Sequence, residues 1–163
     1  MQFHIRLATM QDAPELLKIL KQTEWFDFLN QDDENFVRDN VAALLNDCLE
    51  NPFSHTIFVA VNSGNLAIGY VSVHWLPYLF MSGPEGFVSE LFVSPENRGY
   101  GIGSALLNEV KQEGALRGCN RLSLLNGKHR ESYNRSFYTT QGWEERPLMV
   151  NFIYPIQQTG NEK

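Results

Sequence analysis

The sequence predicts a mixed α/β (α+β) domain of six or seven strands and about four helices. Three observations carry this: strand-like segments fall both before and between helical ones, the helical segments are amphipathic, and two central strands are joined by a hairpin turn. With 163 residues, 43% hydrophobic and 20% charged, the chain has the composition of an ordinary soluble globular protein and is read as one domain, residues 1–163.

Phe3 to Ala8 alternates like a short strand, and Asp12, Pro14 and Glu15 then open a helix through Leu16, Ile19 and Leu20. Val37, Val41, Leu44, Leu45, Cys48 and Leu49 recur at spacings of three and four, a second helix that Asn51-Pro52 stops. Between the two lies Thr23 to Leu29, whose aromatics either line a pocket or plug the space between helices. Thr56 to Val61 and Leu66 to His74 are strands, and Asn62-Ser63-Gly64-Asn65 carries the turn chemistry of a hairpin. Trp75 to Phe87, with two prolines and two glycines, reads as a long connection to a strand over Val88 to Val93. A helix from about Gly101 to Arg117 buries Ile102, Ala105, Leu106 and Val110. Arg121 to Leu125 is a strand, Ser132 to Thr140 a short helix, and Trp143 to Tyr154 one or two terminal strands.

Composition also excludes. A net charge of −6 and the want of a basic cluster argue against nucleic acid as a partner and make a cationic ligand easier to accommodate than an anionic one. The N-terminal residues show no basic stretch followed by an apolar one, and no run approaches the length of a membrane span, so a cytoplasmic protein without membrane contact is expected. Cys48 and Cys119 are too few for a disulfide framework and have no Cys or His at metal-ligand spacing, so no metal is expected.

The segment richest in chemistry runs from Leu91 to Leu107: strand, glycine-rich turn, helix. Glycines at 99, 101 and 103 let backbone approach a ligand and leave N–H groups unobstructed, the helix aims its positive end at the same place, and Arg98 adds a cation. Such a turn suits an anion, and a pyrophosphate better than a carboxylate. The spacing is G-x-G-x-G in mid-chain, not the G-x-G-x-x-G of a dinucleotide fold, and no Gly-Lys-Ser/Thr follows as a Walker loop requires.

Arg98-x-x-Gly101-x-Gly103, preceded by Glu90-Leu91-Phe92-Val93-Ser94-Pro95, resembles the coenzyme-A-binding motif of the GNAT acetyltransferases, and Asn134 to Trp143 resembles the family's helix carrying Phe-Tyr and a terminal Gly-aromatic pair. Motif coverage spans 88–143. The resemblance implies the GNAT fold, a mixed, mostly antiparallel sheet with a splay at its centre, and acetyl-CoA as cosubstrate. It also implies transfer of acetyl to a primary amine, small molecule or peptide, by direct attack in a ternary complex. No Ser or Cys sits in a nucleophile elbow, so a covalent acyl-enzyme is not expected. Asn97 departs from the family, which frequently has Gln or Arg there, and Asn134 stands where a small residue is common.

Carried over by position, the main chain of Leu91, Phe92 and Val93 would bind the pantetheine arm, and Arg98, Gly99, Tyr100, Gly101, Ile102, Gly103 and Ser104 would hold the pyrophosphate. Asn134 would contact the lower arm, and Val93 N–H would face the carbonyl oxygen. Tyr138 matches the family's general acid, with a core tyrosine packed on Phe137 as the alternative. Glu90 is the first candidate base, although strand alternation leaves its facing open; His74 and ordered water are the others. The runner-up function is a non-catalytic acyl-CoA-binding or sensing module. A nucleotide-binding domain with a chance glycine turn comes third.

The sequence does not name the amine. Glu24, Asp27, Asp32, Asp33 and Glu34 favour a polyamine, amino sugar or basic peptide end, against the alternative that they serve helix starts. Phe152 to Ile156 offers apolar surface that either completes the sheet or meets a second subunit of a homodimer.

Overall fold

A computed structural model describes residues 2–23, 25–31 and 33–156, which divide into two compact units, Met1–Leu125 and Asn126–Lys163. The first unit opens with β1 (Phe3–Leu7), a 3-10 turn (Met10–Asp12), α1 (Ala13–Lys21), α2 (Asp27–Gln31) and α3 (Glu34–Glu50). It continues through β2 (His55–Asn62), β3 (Ala67–Leu76), β4 (Glu85–Val93), a 3-10 turn (Pro95–Asn97), α4 (Ile102–Leu116) and β5 (Arg121–Leu124). The five strands form one sheet in sequence order, antiparallel from β1 to β4, with β5 parallel to β4.

Helices cover both faces. On one side α1 and α3 bring Leu16, Ile19 and Leu45 onto Ile57, Val59, Val61 and Tyr70, with Leu20, Cys48, Leu49 and Phe92 packed against them. A second cluster, Leu17, Leu29 and Val37, ties α1, α2 and α3 together. On the other side α4 runs against the sheet and buries Ile102, Leu106, Leu107 and Val110, while Val71, Val73, Trp75 and Val88 are buried in the strands. Burying such side chains contributes about 1.5–3 kcal/mol each before the entropy cost of ordering them.

Local chemistry sets the boundaries. Asp33 caps α3 by accepting from Asn35 N and Phe36 N, α4 starts at Gly101 with φ +80 and is followed by Gly118 at φ +67, and both glycine positions need the left-handed conformation. Asp12, 4% exposed, accepts two hydrogen bonds of 2.8 Å from Arg6, and the pair staples α1 to β1.

Three expectations need correction. The connection before the motif strand covers only 77–84, because the β3/β4 ladder runs on to Trp75↔Gly86 and Leu76↔Glu85. Pro77 and Pro84 sit just outside that ladder, where their missing N–H groups cost nothing. The terminal strands are absent: residues 143–156 form no strand, and Leu148, Val150, Phe152, Ile153 and Tyr154 are exposed. Their alternation has the composition of a strand without a ladder partner among the described residues, so the sheet has five strands and not six or seven. In the second unit the expected helix over 132–140 is broken into α5 (Glu131–Asn134) and a 3-10 turn (Thr139–Gln141) by Ser136 at φ +56. Among the described residues no helix is long and apolar enough to cross a membrane.

Gly86 shows how tightly the sheet packs. A Cβ there would lie 2.5 Å from Leu122 Cδ2 and 2.6 Å from Trp75 Cζ3. Gly86→Ala is expected to lower stability in urea unfolding by about 1–3 kcal/mol; an unchanged midpoint would show that the ring has room to give way.

Candidate active site

The site is organised by β4. Its parallel pairing with β5 ends at Val88↔Leu124, while its antiparallel pairing with β3 continues to Gly69↔Val93. From Ser89 onward one edge of β4 therefore has no strand partner among the described residues, which is the splay that the fold class implied. Ser94 N donates to Ile68 O at 3.0 Å, so its amide points toward β3. Alternation then directs Phe92 N–H the same way, and the N–H groups of Leu91 and Val93 to the open edge. Arg98 Nε donates to Val93 O at 3.2 Å, which holds the guanidinium on that open side.

The chain then turns sharply. Gly99 and Gly101 lie at φ +83 and +80, and a Cβ on either would meet nothing within 4 Å, so the turn is an open cradle. No side chain caps α4, which leaves the N–H groups of Ile102, Gly103 and Ser104 facing outward without an i−4 carbonyl. With Arg98 beside them and Tyr100 exposed, these residues fit a pyrophosphate. Asn97 has a different role. It is 7% exposed and donates at 2.6 Å to Ser94 Oγ, which in turn donates to Ile68 O. The pair pins the entry of the turn to β3 and accounts for the departure from Gln or Arg.

On the α3 face, the open facing of Glu90 is resolved. The β3/β4 register shifts from Val73↔Val88 to Ser72↔Glu90, so Ser89 is the extra residue of a bulge. Glu90 thereby joins the row of Tyr70, Ser72 and His74. Its side chain is accessible to solvent. Burial raises its pKa above the usual carboxylate range, against the opposing pull of the Tyr70 hydroxyl and His74. The Tyr70 hydroxyl is buried and stands beside Glu90 without a well-formed hydrogen bond; burial, and then the Glu90 charge, push its pKa well up. Burial, followed by Glu90, raises the Cys48 thiol as well. Phe92, next along the row, meets Trp25, Phe26 and Tyr70 at ring centroids of 5.5, 6.1 and 5.8 Å. The aromatics between α1 and α3 thus pack on the motif strand and not only between helices.

Three residues in or beside this row carried no sequence signal: Tyr70, Ser72 and His55. His55 Nε2 lies 2.6 Å from Ser72 Oγ, and its ring sits 4.0 Å from that of His74. Of the acidic residues, Asp33 is a cap, Glu34 pairs with Lys21 at 3.7 Å, and Asp27 opens α2. Glu24 and Asp32 lie outside the described residues. Among the described residues no three His, Cys, Asp or Glu side chains gather to hold a metal.

The second unit holds Tyr138 and Asn134. Asn134 ends α5 and is exposed. Tyr138 is half-buried, its ring edge-on to Phe137 and Trp143 at 5.0 and 6.2 Å; burial raises its pKa, with Arg135 opposing. The phenol is therefore protonated at neutral pH.

The raised pKa of Glu90 makes a stability prediction. Folding favours the neutral acid, a contribution complete below the ordinary value of 4.5 and lost as pH rises through the folded-state pKa. Glu90→Gln removes that loss. The variant's melting temperature is expected to exceed the native one at pH 7 and the two to converge near pH 4; a constant difference across this range would contradict a desolvated carboxyl.

Residues 17–143 match the acetyltransferase (GNAT) family. The chain is 25% identical over 127 residues to thialysine N-epsilon-acetyltransferase of Mus musculus, covering 74% of this chain and 72% of that protein. It is 24% identical over 132 residues to spermidine/spermine N(1)-acetyltransferase-like protein 1 of Homo sapiens, covering 76% of this chain and 18% of that protein. Its fold superposes on the crystal structure of glucosamine-6-phosphate N-acetyltransferase from Arabidopsis thaliana with a TM-score of 0.75, 16% identity, and coverage of 95% of this chain and 100% of that one. A glycine turn opening α4 beside a half-unpaired β4, and a family match across more than three quarters of the sequence, lead to one assignment: the chain belongs to the acetyltransferase (GNAT) family.

Proposed function

We propose that this protein is an acetyl-CoA-dependent N-acetyltransferase that acts on a primary amine by direct attack in a ternary complex. The observation that carries the reading is the conjunction on β4 of an open main-chain edge at Leu91 and Val93, an anion cradle one turn later, and a carboxyl of raised pKa at Glu90. A small cationic amine is the favoured acceptor, supported by the relatives named for thialysine and for spermidine and spermine and by the net charge of −6.

Acetyl-CoA supplies an activated acetyl thioester whose thiolate can leave. The residues then have separable tasks. Leu91 and Val93 offer N–H groups to a strand-like ligand, and residues 98–104 bind its pyrophosphate. Val93 N–H would donate to the carbonyl oxygen as negative charge gathers there. Glu90 takes a proton from the incoming ammonium, a task its raised pKa suits better than that of an ordinary carboxylate. Tyr138, kept protonated by burial, gives a proton to the departing sulfur, and the second proton lost by the nitrogen as the amide forms restores the phenol. Asn134 is assigned to the lower arm of the coenzyme.

The direct test is thiol release from acetyl-CoA against thialysine, polyamines, amino sugars and basic peptides, alongside calorimetry of coenzyme binding. Turnover with one of these amines is expected; binding without thiol release would favour a non-catalytic coenzyme-binding module, and no binding would sink both readings. Tyr138→Phe is expected to bind coenzyme normally and to lose about 10-fold to 1000-fold in kcat. Unchanged turnover would remove Tyr138 from its role. Gly101→Val should abolish coenzyme binding, because a β-branched residue both resists φ +80 and fills the cradle; retained affinity would place the pyrophosphate elsewhere.

A further inference from the structure

In the sheet β5 pairs with β4 alone, through the parallel register from Glu85↔Arg121 to Val88↔Leu124, and its other edge has no ladder partner among the described residues. The fastenings between the two strands gather at the base of that ladder. Asn120 N donates to Pro84 O at 2.9 Å. Glu85, only 5% exposed, accepts from Arg121 Nε at 2.5 Å with one carboxyl oxygen and from Ser123 Oγ with the other. On the opposite face Leu122 lies over Gly86, in the space that a Cβ there would fill. Beyond Val88 the unpaired edge of β4 begins.

So short a parallel edge fixes its register weakly. Sliding β5 two residues along β4 would keep every side chain on its own face, set Leu124 opposite Glu90, and offer a β5 carbonyl to Leu91 N–H. That arrangement closes the edge proposed for the coenzyme arm. We infer that Glu85 is a register lock and a positioning residue for the coenzyme. Bound to Arg121 and Ser123 at once, it holds β5 to the base of β4 and keeps the edge from Ser89 to Val93 open. The inference rests on the acetyl-CoA reading of that edge.

The burial of Glu85 favours this role over stability alone. A charge taken out of water is offset only by well-placed partners, and an apolar side chain of similar size commonly stabilises a fold as well or better. The best-attested use of a buried polar contact is to select one register over another. Here the geometry discriminates. In the slid arrangement Arg121 would stand opposite Phe87 and Ser123 opposite Ser89, about 6–7 Å further along the strand, which strands the Glu85 carboxylate in the interior without either partner. Leu122 would exchange Gly86 for Val88, whose buried side chain already occupies that place. Carboxylate and glycine thus reject the slid register from the two faces of the sheet.

The test compares ligands with and without the arm. In calorimetry, Glu85→Met is expected to bind coenzyme A about 10-fold more weakly, as the open register becomes a minor share of the population. It is expected to bind ADP, which carries the pyrophosphate without the arm, as the native protein does. Its melting temperature is expected to equal or exceed the native one, and in the free variant the Leu91 amide is expected to gain protection from hydrogen exchange. A side chain serving stability alone would give neither the split between ligands nor the gain in protection. Arg121→Gln, at a half-exposed position, is a second arm expected to act in the same direction. Native affinity for coenzyme A in both variants, or equal losses for coenzyme A and ADP, would overturn the lock and leave the acetyltransferase reading standing. A native protein that binds no coenzyme A would overturn both.

Discussion

One extra residue in one strand sets the layout of this site. Ser89 bulges out of the β3/β4 ladder, so Glu90 and Phe92 face α3 although Val88, two residues before Glu90, faces α4. In a regular strand Val88 and Glu90 would share a face. Without the bulge the carboxyl would point into the apolar layer under α4, where an unpaired charge is expensive. With it, Glu90 stands beside Tyr70 and His74 in a row whose polar members support one another. The bulge also falls where β5 ceases to pair, so the carboxyl and the open edge of β4 arise at one point in the chain.

An open strand edge demands partners for its N–H and C=O groups. Proteins usually blunt such edges, whereas this one follows the edge with Arg98, two left-handed glycines and an uncapped helix start. Together the guanidinium, the open glycine turn and the unpaired N–H groups of the helix start suit a ligand that is strand-like at one end and anionic at the other. The buried Ser94–Asn97 clamp holds this sequence of donors in register with β3.

Much of this was legible in the sequence, and what was not has a physical cause. The glycines at 99 and 101 declare their backbone conformation because few other residues tolerate it, and the periodicity of α3 and α4 declares their buried faces. Register is harder. Counting back from the Asn62–Asn65 turn pairs His55 with Val73, but the shift between Ala60 and Val61 moves it opposite His74, and a one-residue slip exchanges the faces of a strand. The His55–His74 pair and the facing of Glu90 both depend on bulges that leave no pattern in composition. The segment over 143–154 errs the other way: its alternation satisfies a strand's local preferences, yet a strand exists only in a ladder. The motif around Tyr138 predicted a continuous helix, whereas Ser136 at φ +56, which breaks it just before that residue, left no sign in the sequence.

The claim on which the account turns is that the unpaired half of β4 receives a strand-like coenzyme. Residue-resolved amide hydrogen exchange, with and without coenzyme A, tests it most directly. The amides of Leu91 and Val93 should exchange readily in the free protein and become protected on binding, while Phe92, whose amide points toward β3, changes little. If coenzyme A binds yet leaves the exchange of Leu91 and Val93 unaltered, the ligand does not lie along this edge, and the site as described here is wrong.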